Sequence, residues 1–131
     1  MEDNIIKQVE LQNGLTVKMV DRSKKLIGDR YQVILQAEMK IPITQAIVQG
    51  DEYLESCFTD LQRMFGDHVL FSQKREKTFV DEKDKESVLS TMIESFINDM
   101  IPYLSRPYFP IKFINKQYAD KLKERKRIPS P

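Results

Sequence analysis

The stretch Glu82 to Leu104, EKDKESVLSTMIESFINDMIPYL, decides the fold because it carries the clearest helical pattern in the chain. Its apolar residues recur at helical spacing and form one wide stripe that needs a large partner surface. The stripe consists of Val88, Leu89, Met92, Ile93, Phe96, Ile97, Met100, Ile101 and Leu104, and the opposite side carries Glu86, Ser90, Glu94 and Asp99. We therefore expect this helix to be the central element of a small two-layer domain.

The ends of this central helix follow from its flanking residues. Asp81 stands where an N-cap residue belongs, so we expect its carboxylate to cap the first turn. Pro102 cannot donate a backbone hydrogen bond, which predicts that the helix ends near Met100 or kinks there.

The N-terminal third predicts three antiparallel strands. Ile5 to Leu11 and Leu15 to Asp21 flank Asn13-Gly14, a pair that favours a tight hairpin because both residues tolerate positive φ. Tyr31 to Ile43 alternates apolar and polar residues as a long strand with one wet face. Pro42 is expected to close the hydrogen-bond ladder or to lie on a sheet edge.

The middle of the chain predicts a second helix and a further strand. Asp51 to Phe65 has a helical apolar stripe and is followed by Gly66, a residue suited to a helix C-terminus. His68 to Val80 has the pattern of a fourth strand. Its polar middle, Ser72 to Thr78, fits either a continuous strand or an exposed hairpin.

The C-terminal segment predicts a connector and a last helix. Pro102 to Phe113 is rich in proline and aromatic residues and is expected to join two helices. The last helix is expected from Lys116 to about Arg127, with Ala119 and Leu122 as its apolar side. Residues 128–131 contain two prolines and are expected to fray.

These elements give the order β-β-β-α-β-α-α. We predict an α+β two-layer sandwich, with an antiparallel sheet of about four strands and two amphipathic helices on one face. Residues 1–113 are predicted to form a single α+β domain, and residues 114–131 a basic helix with its tail.

Composition narrows the class of protein. The 131 residues are 40% hydrophobic and 31% charged, which is typical of a globular chain that buries about two thirds of its surface. The 21 basic and 20 acidic residues give a net charge of +1, which does not favour a dedicated polyanion binder. With one cysteine, no signal peptide and no apolar run long enough for a membrane span, we expect a cytoplasmic protein without a membrane partner.

A basic loop is the first candidate site. It lies between the second and third strands and could hold a phosphate or carboxylate through guanidinium forks and backbone N–H groups. The alternative is a solvated turn whose charges confer solubility, since no glycine-rich cradle is present. The candidate anion-binding residues are Arg22, Lys24, Lys25 and Arg30.

A basic C-terminus is the second candidate site. Residues 112–131 hold seven basic and two acidic residues, which could contact nucleic acid. Phe113 and Tyr118 could stack on bases there. Alternatively, the cations complement a helix macrodipole. The candidate contacts are Lys121, Lys123, Arg125, Lys126 and Arg127.

The aromatic connector is the third candidate site. Aromatic residues beside prolines can present a rigid contact surface to a protein partner, or they can cover the end of the core. The candidate residues are Tyr103, Tyr108, Phe109 and Phe113.

Nothing in the chain predicts a catalytic, metal or cofactor site. Cys57 lies on an apolar stripe, and His68 follows a turn, so a packing role is expected for both. One histidine and one cysteine cannot supply a zinc tetrad. No nucleotide-binding or nucleophile motif occurs. We therefore expect no cofactor and no enzyme.

Two resemblances accompany these patterns. Asp21-Arg22-Ser23 with Gly28 resembles part of the D-x-S-x-x-G motif of PilZ-type cyclic-dinucleotide receptors, but the glycine lies two residues too far on and no arginine precedes Arg22, so no site follows. Residues 13–33 and 77–83 resemble small bacterial proteins of unknown function, which implies no activity or ligand.

The sequence therefore predicts a non-catalytic module that contacts another protein or a second copy of itself. The alternative is a binder of an anion or nucleic acid, through the basic loop or the basic C-terminus. An enzyme of unrecognised type is the third hypothesis.

Overall fold

The computed structural model describes residues 5–127, which form a five-stranded antiparallel sheet and a set of helices. This confirms the predicted α+β class. The strands are β1 (Ile5–Glu10), β2 (Thr16–Asp21), β3 (Lys24–Lys25), β4 (Arg30–Pro42) and β5 (His68–Asp81). The helices are α1 (Gln45–Val48), α2 (Glu52–Ser56), α3 (Phe58–Phe65), α4 (Lys85–Leu104) and α5 (Phe109–Arg127), with a 3₁₀ turn at Glu82–Asp84 before α4.

Contacts along the chain divide it into two compact units. The sheet unit comprises residues 5–40 and 70–106, and the helical unit comprises residues 41–69 and 107–127. The sheet unit holds β1 to β3, α4 and most of β4 and β5. The helical unit holds α1, α2, α3 and α5.

The first hairpin of the sheet unit forms as predicted. β1 pairs antiparallel with β2, and β2 pairs antiparallel with β4. The connecting turn closes with a hydrogen bond from the Leu11 N–H to the Leu15 carbonyl at 2.8 Å. Gly14 has φ of +88°, the left-handed conformation that glycine adopts without steric cost.

The predicted loop from Arg22 to Arg30 is wrong in its middle, because Lys24 and Lys25 form β3. β3 pairs with β4 in the same register as β2, so β2 and β3 lie one after the other along the same side of β4. Ser23 permits this continuity because its Oγ accepts the Ile34 N–H at 3.0 Å. The real turn is confined to residues 26–29.

One face of the sheet is buried. Its six central side chains are at most 1% exposed: Val17, Met19, Val33, Leu35, Ala37 and Met39. Arg75 of β5 reaches α4 through a hydrogen bond to Ser95 at 3.2 Å and an ion pair with Asp99 at 3.5 Å. Gln32 and Gln36 contact β5 on the opposite face. Because side chains alternate along a strand, α4 lies on the buried face.

The predicted end of the central helix near Met100 is wrong, as is the predicted cap by the Asp81 carboxylate. α4 continues through Pro102 to Leu104, since a proline in the last turn removes only the bond to the carbonyl of Asn98, whose position is exposed. Asp81 makes no side-chain cap, because its carboxylate pairs with Arg30 at 3.2 Å.

The predicted helix from Asp51 to Phe65 is divided at Cys57, whose backbone leaves the helical region with φ −102° and ψ 10°. The Ser56 hydroxyl donates to the Tyr53 carbonyl at 2.7 Å, and the Cys57 N–H is shared between Tyr53 and Leu54. The Ser56 hydroxyl and the Cys57 N–H thus compete for the Tyr53 carbonyl at the point where the helix is interrupted.

The last helix begins at Phe109, seven residues before the predicted start. Pro110 lies in its first turn, where a missing N–H costs nothing. The buried face of α5 contains Ile114 and Tyr118, whereas the predicted apolar residue Ala119 is exposed.

Candidate functional site

β5 forms one edge of the sheet. β2 and β3 both pair with one side of β4. β5 also pairs with β4 and therefore lies on the other side of it. Ser72 and Glu76 of β5 accept hydrogen bonds from Gln36 and Gln32 at 3.0 and 3.4 Å, which shows that the two strands run in opposite directions. Of the strands within residues 5–127, none pairs with the outer side of β5.

The backbone groups on this outer edge can be assigned from β4. The carbonyl of Ile34 accepts the Arg22 N–H at 2.9 Å, and its N–H donates to Ser23, so its backbone points toward β2 and β3. Backbone groups alternate sides along a strand, so Val33 and Leu35 point toward β5. The odd-numbered residues of β5 therefore face β4. The residues that direct N–H and C=O outward are Ser72, Lys74, Glu76 and Thr78.

The side chains along this edge are polar and of both charges. Lys74 and Glu76 are exposed on the face opposite α4. Arg75 is held on the α4 face by Asp99 and Ser95, with its guanidinium 5.3 Å from the centre of the Phe96 ring. The edge from Ser72 to Thr78, here called the β5 edge, thus carries one anchored and several solvated charges.

Phe79 ends the β5 edge in an unusual conformation. Its φ is +61°, and among residues 5–127 it is the one non-glycine residue with positive φ. Its side chain is 65% exposed. Three residues further on, the Glu82 N–H donates to the Asp29 carbonyl at 2.8 Å. An aromatic residue in this conformation is strained.

A shallow cavity lies beside β5 on the α4 side. It has a volume of about 160 Å³ and is lined by Lys77, Ser87, Val88, Thr91 and Met92. The apolar stripe of α4 is incompletely covered, since within it Phe96 and Leu104 are buried and the other seven residues are half-buried. The β5 edge is therefore flanked by apolar surface.

The predicted anion-binding residues do not converge on one site. Arg22 donates to Gln36 at 3.0 Å and pairs with Glu38 at 3.7 Å, and Arg30 pairs with Asp81. Lys24 and Lys25 are exposed but adjacent on β3, so their side chains leave opposite faces of the sheet.

The predicted aromatic surface is divided between the two units. Tyr103 lies in α4 of the sheet unit and is 43% exposed. Tyr108, also 43% exposed, belongs to the helical unit and lies under the Lys112 ammonium at 4.8 Å. Phe109 is buried and stacks with the half-buried Phe113 at 5.8 Å between ring centres. Phe109 thus belongs to the core of its unit.

The predicted nucleic-acid residues lie on α5, and two of them, Lys121 and Arg125, form ion pairs within the helical unit. Arg125 donates to both carboxylate oxygens of Asp60 at 3.1 and 3.2 Å. Lys121 pairs with Glu124 at 3.5 Å, and Lys123 is exposed. The side chains of Lys126 and Arg127 lie outside the described part of the chain.

Tyr118, expected to stack on bases, is buried instead. Its hydroxyl donates to Asp60 at 2.7 Å. The hydrogen bond to Asp60, burial and the nearby Cys57 thiol raise the pKa of Tyr118. The hydrogen bond from Tyr118 and then that from Arg125 lower the pKa of Asp60. This cluster fastens α5 to α3.

His68 and Cys57 have different neighbours in the helical unit. His68 bonds to Asp67 at 2.6 Å, whereas Cys57 adjoins Tyr118. A cleft of about 540 Å³ in the helical unit is lined by Gln45, Ala46, Val48, Gln49, Glu55 and Phe58.

Within residues 5–127, no group of three or more metal-ligating side chains occurs. No helix in that range has the length and apolar content of a membrane span.

No family model, curated protein or solved structure matches this chain. The assignment of a site therefore depends on the geometry alone. The β5 edge is not among the sites predicted from the sequence, where the run of polar residues from Ser72 to Thr78 fitted an exposed strand or a hairpin. Edge position depends on strand order, which the local pattern does not contain.

Proposed function

We propose that the protein is a small non-catalytic interaction module that binds a protein partner through the β5 edge. The observation that carries this proposal is the row of outward backbone groups from Ser72 to Thr78, which no described strand pairs with. An open edge of this length can accept an added strand, with main-chain hydrogen bonds supplying affinity and neighbouring side chains supplying specificity.

The conformation of Phe79 supports the proposal. A left-handed residue with a bulky side chain costs about 1–2 kcal/mol. Burial of the ring does not offset this cost, since the ring is 65% exposed. A strained and exposed aromatic residue at the end of an open strand is consistent with a contact made only when a partner is bound.

Lysines on edge strands usually prevent pairing with another strand. Here Lys74 is followed by Glu76 on the same face of the strand. A partner strand that presents the opposite order of charges is favoured, and other partners are rejected. The charges therefore restrict pairing to selected partners.

Anion binding by Arg22, Lys24, Lys25 and Arg30 stays a prediction. The ion pairs of Arg22 with Glu38 and of Arg30 with Asp81 reduce the positive charge that this group presents. We therefore favour the β5 edge as the functional surface.

Site-specific photo-crosslinking in the cells that make the protein tests the proposal. We expect p-benzoylphenylalanine at position 79 to give a discrete adduct of higher mass. The same group at Tyr53, another exposed aromatic position (53% exposed) in the helical unit, is the matched control and is expected to give none. No adduct at position 79, or equal adducts at both positions, would contradict the proposal.

A further inference from the structure

The middle of β5 is approximately symmetric in residue type about Arg75. The stretch Leu70 to Val80, LFSQKREKTFV, presents similar or complementary residues at equal distances on either side of that arginine. Serine matches threonine, phenylalanine matches phenylalanine, and lysine matches glutamate. The matched pairs are Leu70 and Val80, Phe71 and Phe79, Ser72 and Thr78, Gln73 and Lys77, and Lys74 and Glu76.

We propose that the partner at the β5 edge is a second copy of this chain, paired antiparallel about a two-fold axis at Arg75. The inference rests on the proposed function and names its partner. A two-fold interface brings the same surface of both copies together, so a symmetric strand is self-complementary. Pairing over Ser72 to Thr78 joins the two sheets into one.

The backbone fixes which registers are permitted. Only the even-numbered residues of the β5 edge direct N–H and C=O outward, so even residues must pair with even residues. The two-fold axis therefore lies midway between the two copies of one residue, so that this residue faces its own copy. An axis at Lys74 brings two lysines together, and one at Glu76 brings two glutamates together. An axis at Arg75 instead gives two pairs of Lys74 with Glu76, which favours that register.

The two arginines at the axis are already neutralised within their own copies. Each Arg75 pairs with Asp99 at 3.5 Å, bonds to Ser95 and lies over Phe96. These contacts direct the guanidinium toward α4 of its own chain. Repulsion between the two arginines is thereby reduced.

Neighbouring positions gain contacts in the same register. Phe79 of one copy comes beside Phe71 of the other, which covers part of the exposed ring. Gln73 carries a buried side-chain oxygen that lacks a hydrogen bond among residues 5–127. Lys77 of the second copy lies opposite Gln73 and brings a donor to that position.

Sedimentation equilibrium of charge-reversed variants tests the proposal. Lys74→Glu places glutamate opposite Glu76 twice, and Glu76→Lys places lysine opposite Lys74 twice. We expect each variant alone to dimerise about tenfold or more weakly than the wild-type chain. An equimolar mixture is expected to recover a dimer, because every facing pair in the mixed dimer is again Lys with Glu.

The control is Lys24→Glu, a reversal of an exposed lysine on β3, which is expected to leave dimerisation unchanged. A monomeric wild-type chain at about 1 mM, a dimer insensitive to K74E and E76K, or a mixture that stays monomeric would overturn the inference. If the wild-type chain is monomeric but position 79 crosslinks to a different protein, the self-pairing fails and the proposed function stands. If no adduct forms either, both fail.

Discussion

At the scale of single residues, Asp60 holds α5 to α3 through two donors. The Tyr118 hydroxyl, on a side chain only 5% exposed, donates to it at 2.7 Å, and Arg125 donates from the other side. The acceptor is a carboxylate, so both bonds are charge-assisted. The pKa of Asp60 is lowered, first by Tyr118, so the cluster contributes stability above about pH 4 and loses it as the pH falls.

Tyr118→Phe tests this cluster from the alkaline side. The pKa of Tyr118 is raised by its bond to Asp60, whereas an unfolded tyrosine ionises near pH 10. The hydroxyl therefore stabilises the folded chain below about pH 10, and this contribution declines as the pH rises further. We expect Y118F to lower the free energy of unfolding by about 1 kcal/mol at pH 7 and by less at about pH 11.

Urea unfolding at the two pH values provides the measurement. Tyr53→Phe is the matched control, because Tyr53 is 53% exposed, and we expect it to change the free energy of unfolding by less than Y118F at either pH. An equal loss for Y118F at both pH values would contradict the assigned role of the hydroxyl.

At the scale of elements, Asn13 connects the first hairpin to the end of α4. Its Nδ2 donates to the carbonyls of Leu104 at 2.8 Å and Arg106 at 3.1 Å. Its Oδ1 accepts the Leu15 N–H at 3.2 Å. Asn13 thus has two roles: it lies in the hairpin turn, and it donates hydrogen bonds to carbonyls at and just beyond the end of α4, where a helix has no partners of its own for them.

Replacement of Asn13 separates these contributions. We expect Asn13→Ala to lower the free energy of unfolding by about 1 kcal/mol, through loss of the donor. Asn13→Asp should cost more, about 2 kcal/mol, because a carboxylate would face two carbonyl oxygens at a helix C-terminus. Chemical unfolding of both variants, with the exposed neighbour variant Gln12→Glu as control, measures the difference. Equal stability of N13D and the wild-type chain would disprove the contact.

The elements with strong local patterns were predictable, and those defined by distant contacts were not. The hairpin at Asn13-Gly14 follows from turn chemistry. The polar middle of β5, Ser72 to Thr78, fitted either a strand or a hairpin, and the structure shows a continuous strand. β3 exists because Ser23 supplies an acceptor to Ile34, eleven residues away along the chain. No local pattern encodes that pairing.

The candidate site was predictable only in part. The pairing symmetry about Arg75 is visible in the sequence, but the outward direction of Lys74 and Glu76 depends on the strand order around β4. The base-stacking role predicted for Tyr118 is wrong for a similar reason, because its partner Asp60 lies 58 positions earlier in the chain. The sequence therefore indicates which side chains can bond or pair, but not which of them the fold brings together.

At the scale of the whole molecule, each of the two units is built from two separate segments of the chain. β4 and β5 pass between units at Lys40 and Leu70, within regular strands. No run of glycine or proline marks these boundaries, so linker composition gives no indication of them. The open β5 edge belongs to the sheet unit over its pairing segment, residues 72–78.

The central claim is that the β5 edge pairs with the β5 edge of a second copy of this chain, and amide hydrogen exchange resolved by NMR tests it most directly. At high protein concentration we expect the Lys74 and Glu76 amides, which face outward, to exchange slowly and to become fast on dilution. The Gln73 and Arg75 amides face β4 and should stay slow at both concentrations. Fast exchange of Lys74 and Glu76 at every concentration, with slow exchange of Gln73 and Arg75, would contradict self-pairing at this edge.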